Sequence, residues 1–291
     1  MELCVLGSGS SGNCSLVRIG PRAVMIDAGF GPRAFAARIA STGLRLADIH
    51  ALLLTHLDSD HFNPNWFNTL ANRSIKLYCH RRHLEELYRH RSPTITQLDA
   101  RRLHDLGLLA PFDDQPFVIP VDVHHQLHIH PIVLRHDRQG SIGYRLETRD
   151  ARIGYATDLG RITKQLIESM IDVDLLAIES NYDPQKQIES ARPAMLKNRI
   201  MGGSGHLSND QTLEAVRKIF DHSDRKMRHL VLLHLSRQCN DPAIIRGIYR
   251  RHPDLESRLH LSTQYTPTAW LSAVASQRQP LRGEQLTMFA S

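Results

Sequence analysis

Short apolar runs recur along the chain, and most of them close on glycine, aspartate, histidine or another polar residue. The first series consists of LCVLG (3–7), AVMIDAG (23–29), IHALLLTH (49–56) and IKLYCH (75–80). The second series consists of LHIHPIVLRHD (127–137), IGYRLET (142–148), RIGYATD (152–158), VDLLAIES (173–180) and HLVLLHLS (229–236). Runs of this length and ending predict buried β-strands that lead into polar loops. The predicted fold therefore has an early and a late group of strands.

Two segments between the strands have helical spacing. Residues 31–44 repeat apolar side chains every three to four positions, and Gly43 is the predicted terminator. Residues 209–222 have the same spacing, with Asn209 or Asp210 as the predicted N-cap and acidic or amide residues in the first turn. The pattern thus predicts helices placed between strands.

The two strand groups are joined by residues 83–120, which we predict to be a helix followed by an irregular crossover with several prolines. Residues 276–291 are polar and interrupted by proline and glycine, as is typical of a flexible tail. We therefore predict a folded domain over residues 1–275 and a tail over residues 276–291.

Composition narrows the class of protein. With 291 residues and 41% hydrophobic positions, the chain can bury a core of its own. The net charge of +6 favours phosphate-rich partners. Four cysteines without a CxxC pair argue against a zinc ribbon or a disulfide framework. Because no leader peptide and no membrane-length apolar run is visible, we expect a cytoplasmic protein that does not enter membranes.

The sequence THLDSDH at residues 55–61 concentrates metal-ligating side chains directly after a predicted buried strand. On an extended segment His56 and Asp58 point the same way, so both can reach one point in front of the strand end. Asp60 and His61 lie where the chain turns, and they can reach a second point nearby. Two ions about 3.5–4 Å apart are the arrangement of hydrolytic two-metal sites.

One loop cannot supply all ligands of two ions, so further ligands must come from later segments. The candidates are His136, Asp158 and His234, each near the end of a later apolar run. A ligand at a strand end is positioned by the rigid sheet, while the loop leaves a face open to substrate. Individually each of them could be an ordinary strand-end residue; their common placement makes them predicted ligands.

Several motifs together carry a family resemblance. THLDSDH resembles the HxHxDH signature of the metallo-β-lactamase fold. Four other segments are similar to YycJ/WalJ-like hydrolases: LGSGSSGNCSLV near the start, ESNYDP (179–184), LKNRIMGGSGHLSND (196–210) and HLSRQCNDP (234–242). The resemblance covers about residues 1–270 and implies an αββα sandwich, with two sheets back to back, helices outside and the site along one edge.

The resemblance also implies a ligand set and two divalent metal ions. His56, Asp58 and His136 would hold one ion, while Asp60, His61 and His234 would hold the other, with Asp158 bridging and Asp27 supporting the loop from behind. Asp58 departs from the pattern, because the family usually has histidine there. A carboxylate shifts the preference toward manganese or iron, with zinc as the alternative, and a weakened first site is a further alternative.

The implied activity is hydrolysis of phosphodiester bonds by a hydroxide shared between two metal ions, and the implied enzyme is a DNA exonuclease in repair or replication. GHLS and HLS also resemble the paired histidine motifs of tRNase Z, so His206 is predicted to act on the scissile phosphate or its leaving oxygen, with Asp60 as the second catalytic residue. The predicted substrate-binding residues are Ser8, Ser10, Ser11, Asn13, Asn181, Ser208 and Asn209.

The tail carries a separate resemblance. QLTMF (285–289) resembles the QLSLF-type peptide that binds the bacterial sliding clamp, with Gln285, Leu286, Met288 and Phe289 as the predicted contacts. Two alternatives stay open beside a DNA exonuclease. One is a hydrolase of a small cyclic phosphodiester, ester or lactone, and the other is a catalytically weakened binding protein tethered to the clamp.

Overall fold

The computed structural model describes residues 1–90 and 99–274. Within these ranges the chain forms fourteen strands: β1 Glu2–Gly7, β2 Cys14–Ile19, β3 Arg22–Ile26, β4 Ile49–Leu53, β5 Lys76–His80, β6 Leu109–Phe112, β7 Phe117–Pro120, β8 Gln126–Leu134, β9 Ser141–Glu147, β10 Arg152–Ala156, β11 Leu175–Glu179, β12 His229–Leu233, β13 Leu259–Leu261 and β14 Leu271–Ser272. The described residues also form ten helices: α1 Pro32–Ile39, α2 Trp66–Arg73, α3 Leu84–Arg89, α4 Ala100–Asp105, α5 Lys164–Ser169, α6 Pro184–Glu189, α7 Ala194–Met201, α8 Asn209–His222, α9 Pro242–Tyr249 and α10 Pro253–Glu256.

The strands form two mixed sheets of seven. The first sheet has the order β14-β1-β2-β3-β4-β5-β6, and the second has the order β13-β12-β11-β10-β9-β8-β7. In each sheet one half is antiparallel and the other half, β3 to β6 or β10 to β13, is parallel. β14 returns to the first sheet, where Ser272 pairs with Glu2. The last described strand therefore ties the end of the domain to its beginning.

Both faces of the first sheet are buried. Successive side chains of a strand point to opposite faces, so each strand contacts the second sheet on one side and helices on the other. Val5 of β1 faces the second sheet, whereas Leu6 faces outward and packs with Phe35 of α1 and Trp66 of α2. A strand covered on both faces is apolar at every position instead of at alternate ones, which explains the continuous apolar runs in the sequence.

The second sheet has the same construction. Ala177 of β11 faces the first sheet, whereas Ile178 packs against Val216 of α8 and Ile245 of α9 on the outside. Helix, sheet, sheet and helix layers follow one another, so the predicted αββα sandwich is confirmed. Within the part of the chain that the structure describes, no helix is long and apolar enough to cross a membrane.

Most predicted elements are present. Each of the nine apolar runs contains a strand, and the helix predicted within residues 31–44 is α1 followed by a 3₁₀ turn, Ala40–Thr42. Gly43 then adopts a left-handed conformation with φ of 79°. Glycine meets little steric cost there, which is why it terminates the segment.

Two predictions about local structure were wrong. The described parts of residues 83–120 are not an irregular crossover, because they contain the helices α3 and α4 and then the strands β6 and β7. The N-cap of α8 is Ser208 instead of Asn209 or Asp210: the Ser208 hydroxyl accepts from the Gln211 N–H, and the Gln211 side chain accepts from the Ser208 N–H. The serine pairs with the glutamine three positions later as a reciprocal capping box. The predicted tail, residues 276–291, lies outside the described residues.

Candidate metal centre

The predicted metal ligands converge where strand ends from both sheets meet. The first sheet supplies Asp27 directly after β3 and the 56–61 loop shortly after β4. The second sheet supplies His136 after β8, Asp158 after β10 and His234 directly after β12. The structure therefore brings together side chains that are far apart in sequence, at one edge of the sandwich.

Three of these residues have a left-handed backbone. The φ angles of Asp27, Asp158 and His234 are 60°, 52° and 53°. For a residue other than glycine this conformation costs about 1–3 kcal/mol, and it persists only where surrounding contacts enforce it. Each sharp turn comes at a strand end and directs a side chain toward the shared edge. Three of the six non-glycine residues that have positive φ in the described part of the chain therefore lie at the candidate site.

The first ligand group consists of His56, Asp58 and His136. Asp58 Oδ2 lies 3.8 Å from the Nε2 atoms of both histidines. His136 Nδ1 donates to the carbonyl oxygen of Gly205 at 2.9 Å, so Nε2 is the nitrogen that a metal ion can bind after displacing its proton. His56 Nε2 is buried and has no hydrogen-bond partner within the described part of the chain. An orphaned buried imidazole nitrogen facing a carboxylate fits a divalent cation.

The second ligand group consists of Asp60, His61 and His234. Asp60 Oδ2 is 3.8 Å from His61 Nε2 and 3.3 Å from His234 Nε2. The fully buried Asp27 carboxylate accepts from His61 Nδ1 at 2.8 Å and from the Thr55 hydroxyl at 2.8 Å. Because Asp27 fixes the proton of His61 on Nδ1, the Nε2 lone pair points to the ligand group.

Asp158 lies between the two groups. Its Oδ2 atom is 2.9 Å from His61 Nε2, and its Oδ1 atom is 3.7 Å from His234 Nδ1. It also forms a potential ligand group with His56 and His61. Asp158 is therefore within reach of histidines of both ligand groups, and its bridging role stays a prediction.

Glu179 is a site residue that the sequence analysis missed. Its carboxylate is fully buried at the end of β11, 2.6 Å from His206 Nδ1 and 3.4 Å from His234 Nδ1. The sequence contains a signal for Glu179, because this residue ends an apolar run. Asp158 and His234 lie at or next to the ends of similar runs. The run predicts a strand, and the contacts of its terminal carboxylate are visible only in the folded chain.

The carboxylates change the proton affinities of the histidines around them. Burial lowers the pKa of His136, but the carboxylates of Asp58 and Asp158 outweigh it and raise the pKa to about 9. For His234, burial is likewise outweighed by Asp158 and then Asp60, and the pKa rises to about 10. A cluster that attracts protons this strongly has the negative potential that attracts metal cations.

His206 lies at the open side of the centre. Its ring stacks on the ring of His234 with centroids 5.1 Å apart, and Glu179 holds its Nδ1 atom. A cavity of about 400 Å³ opens in front of it and is lined also by Asp60, His136 and Arg192. A substrate that enters this cavity therefore meets both ligand groups and His206.

The predicted substrate-binding residues fall into two sets. Ser10 and Asn181 line the cavity, and Ser11 lines its continuation. Ser8, Asn13, Ser208 and Asn209 are buried and bonded to protein partners. For example, the Ser8 hydroxyl accepts from the His234 N–H at 2.8 Å. Ser8 and Asn13 thus contact the ligand groups, whereas Ser208 caps α8 and Asn209 bonds Ser180 and Asn240.

The chain is similar to several known proteins. A model of the β-lactamase superfamily domain matches residues 22–235. Exodeoxyribonuclease WalJ of Streptococcus pneumoniae is 25% identical over 239 residues, covering 81% of this chain and 82% of that protein. Exodeoxyribonuclease YycJ of Bacillus anthracis is 22% identical over 239 residues, covering 81% and 83%. The solved metallo-β-lactamase fold protein YhfI of Bacillus subtilis matches with a TM-score of 0.63 at 14% identity, covering 92% of this chain and 99% of YhfI.

The β-lactamase superfamily match and the exodeoxyribonuclease relatives, together with the sandwich and its edge of clustered histidines and carboxylates, identify a metal-dependent hydrolase of the metallo-β-lactamase fold. The chain belongs to the β-lactamase superfamily, and within it the chain is YycJ/WalJ-like. The family resemblance stated from the sequence motifs is thereby confirmed.

Proposed function

We propose that this hydrolase cleaves phosphodiester bonds of DNA as an exonuclease. The observation that carries the proposal is the pair of ligand groups around Asp158, open to a cavity that His206 faces. Two further facts support it: the relatives that align over 81% of the chain are named exodeoxyribonucleases, and the net charge is +6. A positive charge favours a polyanionic substrate.

In this proposal His56, Asp58 and His136 hold one divalent ion, and Asp60, His61 and His234 hold the second, with Asp158 shared. When bound, such a pair of ions lowers the pKa of a water molecule and neutralises charge on the phosphate. Manganese or iron suits the carboxylate at position 58, and zinc is the alternative.

Asp60 acts as an ionised acceptor at the cavity. Burial raises its pKa, but His234 and His61 outweigh this and lower it to about 2. The Asn13 side chain donates to the same carboxylate at 3.3 Å, which fixes its orientation. A carboxylate that stays charged and fixed can orient the attacking water toward phosphorus.

His206 protonates the leaving oxygen. Glu179 engages its Nδ1 atom at 2.6 Å, so the Nε2 atom is the one left for substrate. Histidine is suited to this step because its ordinary pKa lies near neutrality. Glu179 is then a positioning residue that acts through the imidazole ring.

The test uses the purified chain with Mn²⁺, end-labelled duplex and single-stranded DNA, and bis-p-nitrophenyl phosphate. We expect progressive shortening of DNA from one end, and a loss of at least about a hundredfold in Asp60→Ala and His206→Ala. His104→Ala, at an exposed histidine outside the site, is the matched control.

Two results would favour the alternatives. Intact DNA beside rapid turnover of the small ester would indicate a small phosphodiester, ester or lactone as substrate. If wild-type activity were no higher than that of Asp60→Ala, and the purified protein retained no metal, the chain would be a binding protein instead of an enzyme.

We further propose that the tail binds the bacterial sliding clamp, which would place the enzyme in the cytoplasm at sites of replication or repair. The motif at 285–289 lies outside the described residues, so its sequence alone supports this step. Surface plasmon resonance on immobilised clamp should show binding of the full chain and its loss in Leu286→Ala and Phe289→Ala. Thr287→Ala, between the anchors, is the control; equal binding by all variants would contradict the proposal.

A further inference from the structure

The metal-centre cavity continues into a longer groove. It shares Ser10, Arg192, Ser236 and Gln238 with a second cavity of about 380 Å³. The second cavity shares Leu235, Ser236, Arg237 and Gln264 with a third of about 390 Å³, which reaches Tyr265. We call this continuous surface from Arg192 to Tyr265 the exit groove. It leads away from the ligand groups along one side of the domain.

Arg192 stands where the exit groove begins. Its guanidinium donates to the side chains of Gln187 and Gln238, both at 3.2 Å, and to the Ser236 hydroxyl at 3.4 Å. All three partners are neutral, and no carboxylate among the described residues forms an ion pair with Arg192. The side chain is thus held in one orientation while its charge remains uncompensated. A planar guanidinium fixed in this way is suited to bind phosphate.

Tyr265 stands at the far end of the exit groove. Its side chain is 56% exposed, and its hydroxyl accepts from Arg237 Nη1 at 3.0 Å. The Cζ atoms of Arg237 and Arg38 lie 5.4 and 5.8 Å from the ring centroid. An exposed aromatic ring held beside two cations combines a stacking surface with positive charge.

Outside the ligand groups, two aspartates lie along the exit groove and its entrance. Asp137 at the metal end pairs with Arg199, and Asp241 caps α9 by accepting from the Ala243 N–H. Arg192 and Arg237, in contrast, form no ion pair within the described residues. The excess charge in the exit groove is therefore positive, and it lies next to a centre built for phosphate chemistry.

We propose that the exit groove binds the single strand that adjoins the scissile phosphate, with Arg192 on a neighbouring phosphate and Tyr265 stacked on a base farther along. This proposal rests on the proposed nuclease function and adds to it a binding track for single-stranded nucleic acid. Stacking accepts any base, so the groove selects for single strands and for length instead of sequence.

The experiment compares Tyr265→Leu, Tyr265→Phe, Arg237→Gln and wild type on a thymidine dinucleotide and on an oligothymidylate of about ten nucleotides. For Tyr265→Leu we expect KM on the long substrate to rise about tenfold, and to rise less on the dinucleotide. Tyr265→Phe keeps the ring and should stay within about threefold of wild type. Arg217→Gln, on the exposed surface of α8 and outside the groove, is the control for Arg237→Gln.

A binding measurement separates the groove from the nuclease activity. Fluorescence anisotropy of a labelled phosphorothioate oligothymidylate, which resists cleavage, with Mn²⁺-loaded protein reports binding without cleavage, and a phosphorothioate oligouridylate of equal length shows whether RNA binds as well. We expect Tyr265→Leu and Arg237→Gln to weaken binding about tenfold each. If wild type and both variants bind equally, or wild type does not bind, the groove proposal is overturned even where DNA is cleaved. If wild type binds but cleaves no DNA, the nuclease function fails and the groove stands.

Discussion

Asp58 is the residue at which the metal centre departs from the family pattern, and its replacement tests the metal assignment. Its carboxylate lies 3.8 Å from both histidines of the first ligand group. A carboxylate favours manganese and iron, whereas imidazole suits zinc. We therefore expect Asp58→His to raise the zinc-to-manganese ratio in protein dialysed against equal concentrations of both, as measured by mass spectrometry. Asp105→His, at an exposed position, is the control, and an unchanged ratio in Asp58→His would exclude position 58 as a ligand.

Asp27 is fully buried, and its hydrogen bond to His61 orients the imidazole ring. Its carboxylate accepts from His61 Nδ1 and from the Thr55 N–H and hydroxyl. Asn tolerates the left-handed backbone, so Asp27→Asn removes the charge with little change of conformation. We expect a 10- to 100-fold loss, as an order of magnitude, in metal affinity measured by competition with a chromogenic chelator. Asp172→Asn is the matched control, because Asp172 has a φ of 61° outside the site; an equal loss there would assign the effect to the backbone.

The raised pKa values of His136 and His234 make metal binding depend on pH. These values, about 9 and about 10 in the metal-free chain, mean that both rings carry protons at neutral pH. A ligand nitrogen must be deprotonated, so a metal ion displaces those protons, and its apparent affinity increases as pH rises from 7 toward these values. Isothermal titration calorimetry in buffers of different ionisation enthalpy should show net proton release. Identical heats in all buffers would contradict this expectation.

Helix α8 shows how an element begins at a residue that periodicity alone does not identify. The N-cap is Ser208, whose hydroxyl accepts from the Gln211 N–H at 3.2 Å. We expect Ser208→Ala to lower the free energy of unfolding by about 1 kcal/mol in urea denaturation. Asp210→Ala should cost less, because Asp210 is exposed in the first turn and makes no capping bond. A larger loss of unfolding free energy in Asp210→Ala than in Ser208→Ala would indicate that Asp210 is the N-cap.

The missed strands β6 and β7 have a physical explanation. Each contains a proline, Pro111 or Pro120, which argues against a strand in a sequence. Each strand lies at the outer edge of its sheet, where one row of backbone groups needs no partner. Which strand is at an edge depends on the assembled sheet, so the local sequence could not decide it.

Strand ends were the informative feature for the site. The apolar runs before His56, Asp158 and His234 predicted both the strands and the side chains that follow them, and the structure brings these side chains together. Glu179 was missed because the contact that makes it significant, with His206, spans 27 residues and depends on how β11 and the 203–208 loop pack. The sequence therefore predicts which strand ends have metal-ligating side chains. Packing in the folded chain determines which carboxylate bonds to which histidine.

At the scale of the whole molecule, the ligand groups join the two sheets. His61 follows β4 of the first sheet, whereas Asp158 and His234 follow β10 and β12 of the second. Four carboxylates, those of Asp58, Asp60, Asp158 and Glu179, meet in this region. Cations that bind there offset the repulsion between these charges and link the two layers of the sandwich.

Metal removal should therefore destabilise the whole domain. An ion present at a hundred times its Kd stabilises the folded state by about 2.7 kcal/mol, which corresponds to about 5 °C in Tm for a chain of this size. Differential scanning fluorimetry after dialysis against a chelator, with and without added Mn²⁺ or Zn²⁺, measures the shift. Asp158→Ala, compared with its own metal-free Tm, should show a smaller shift because the shared ligand is gone. Equal midpoints with and without metal in the wild-type chain would mean that no ion joins the sheets.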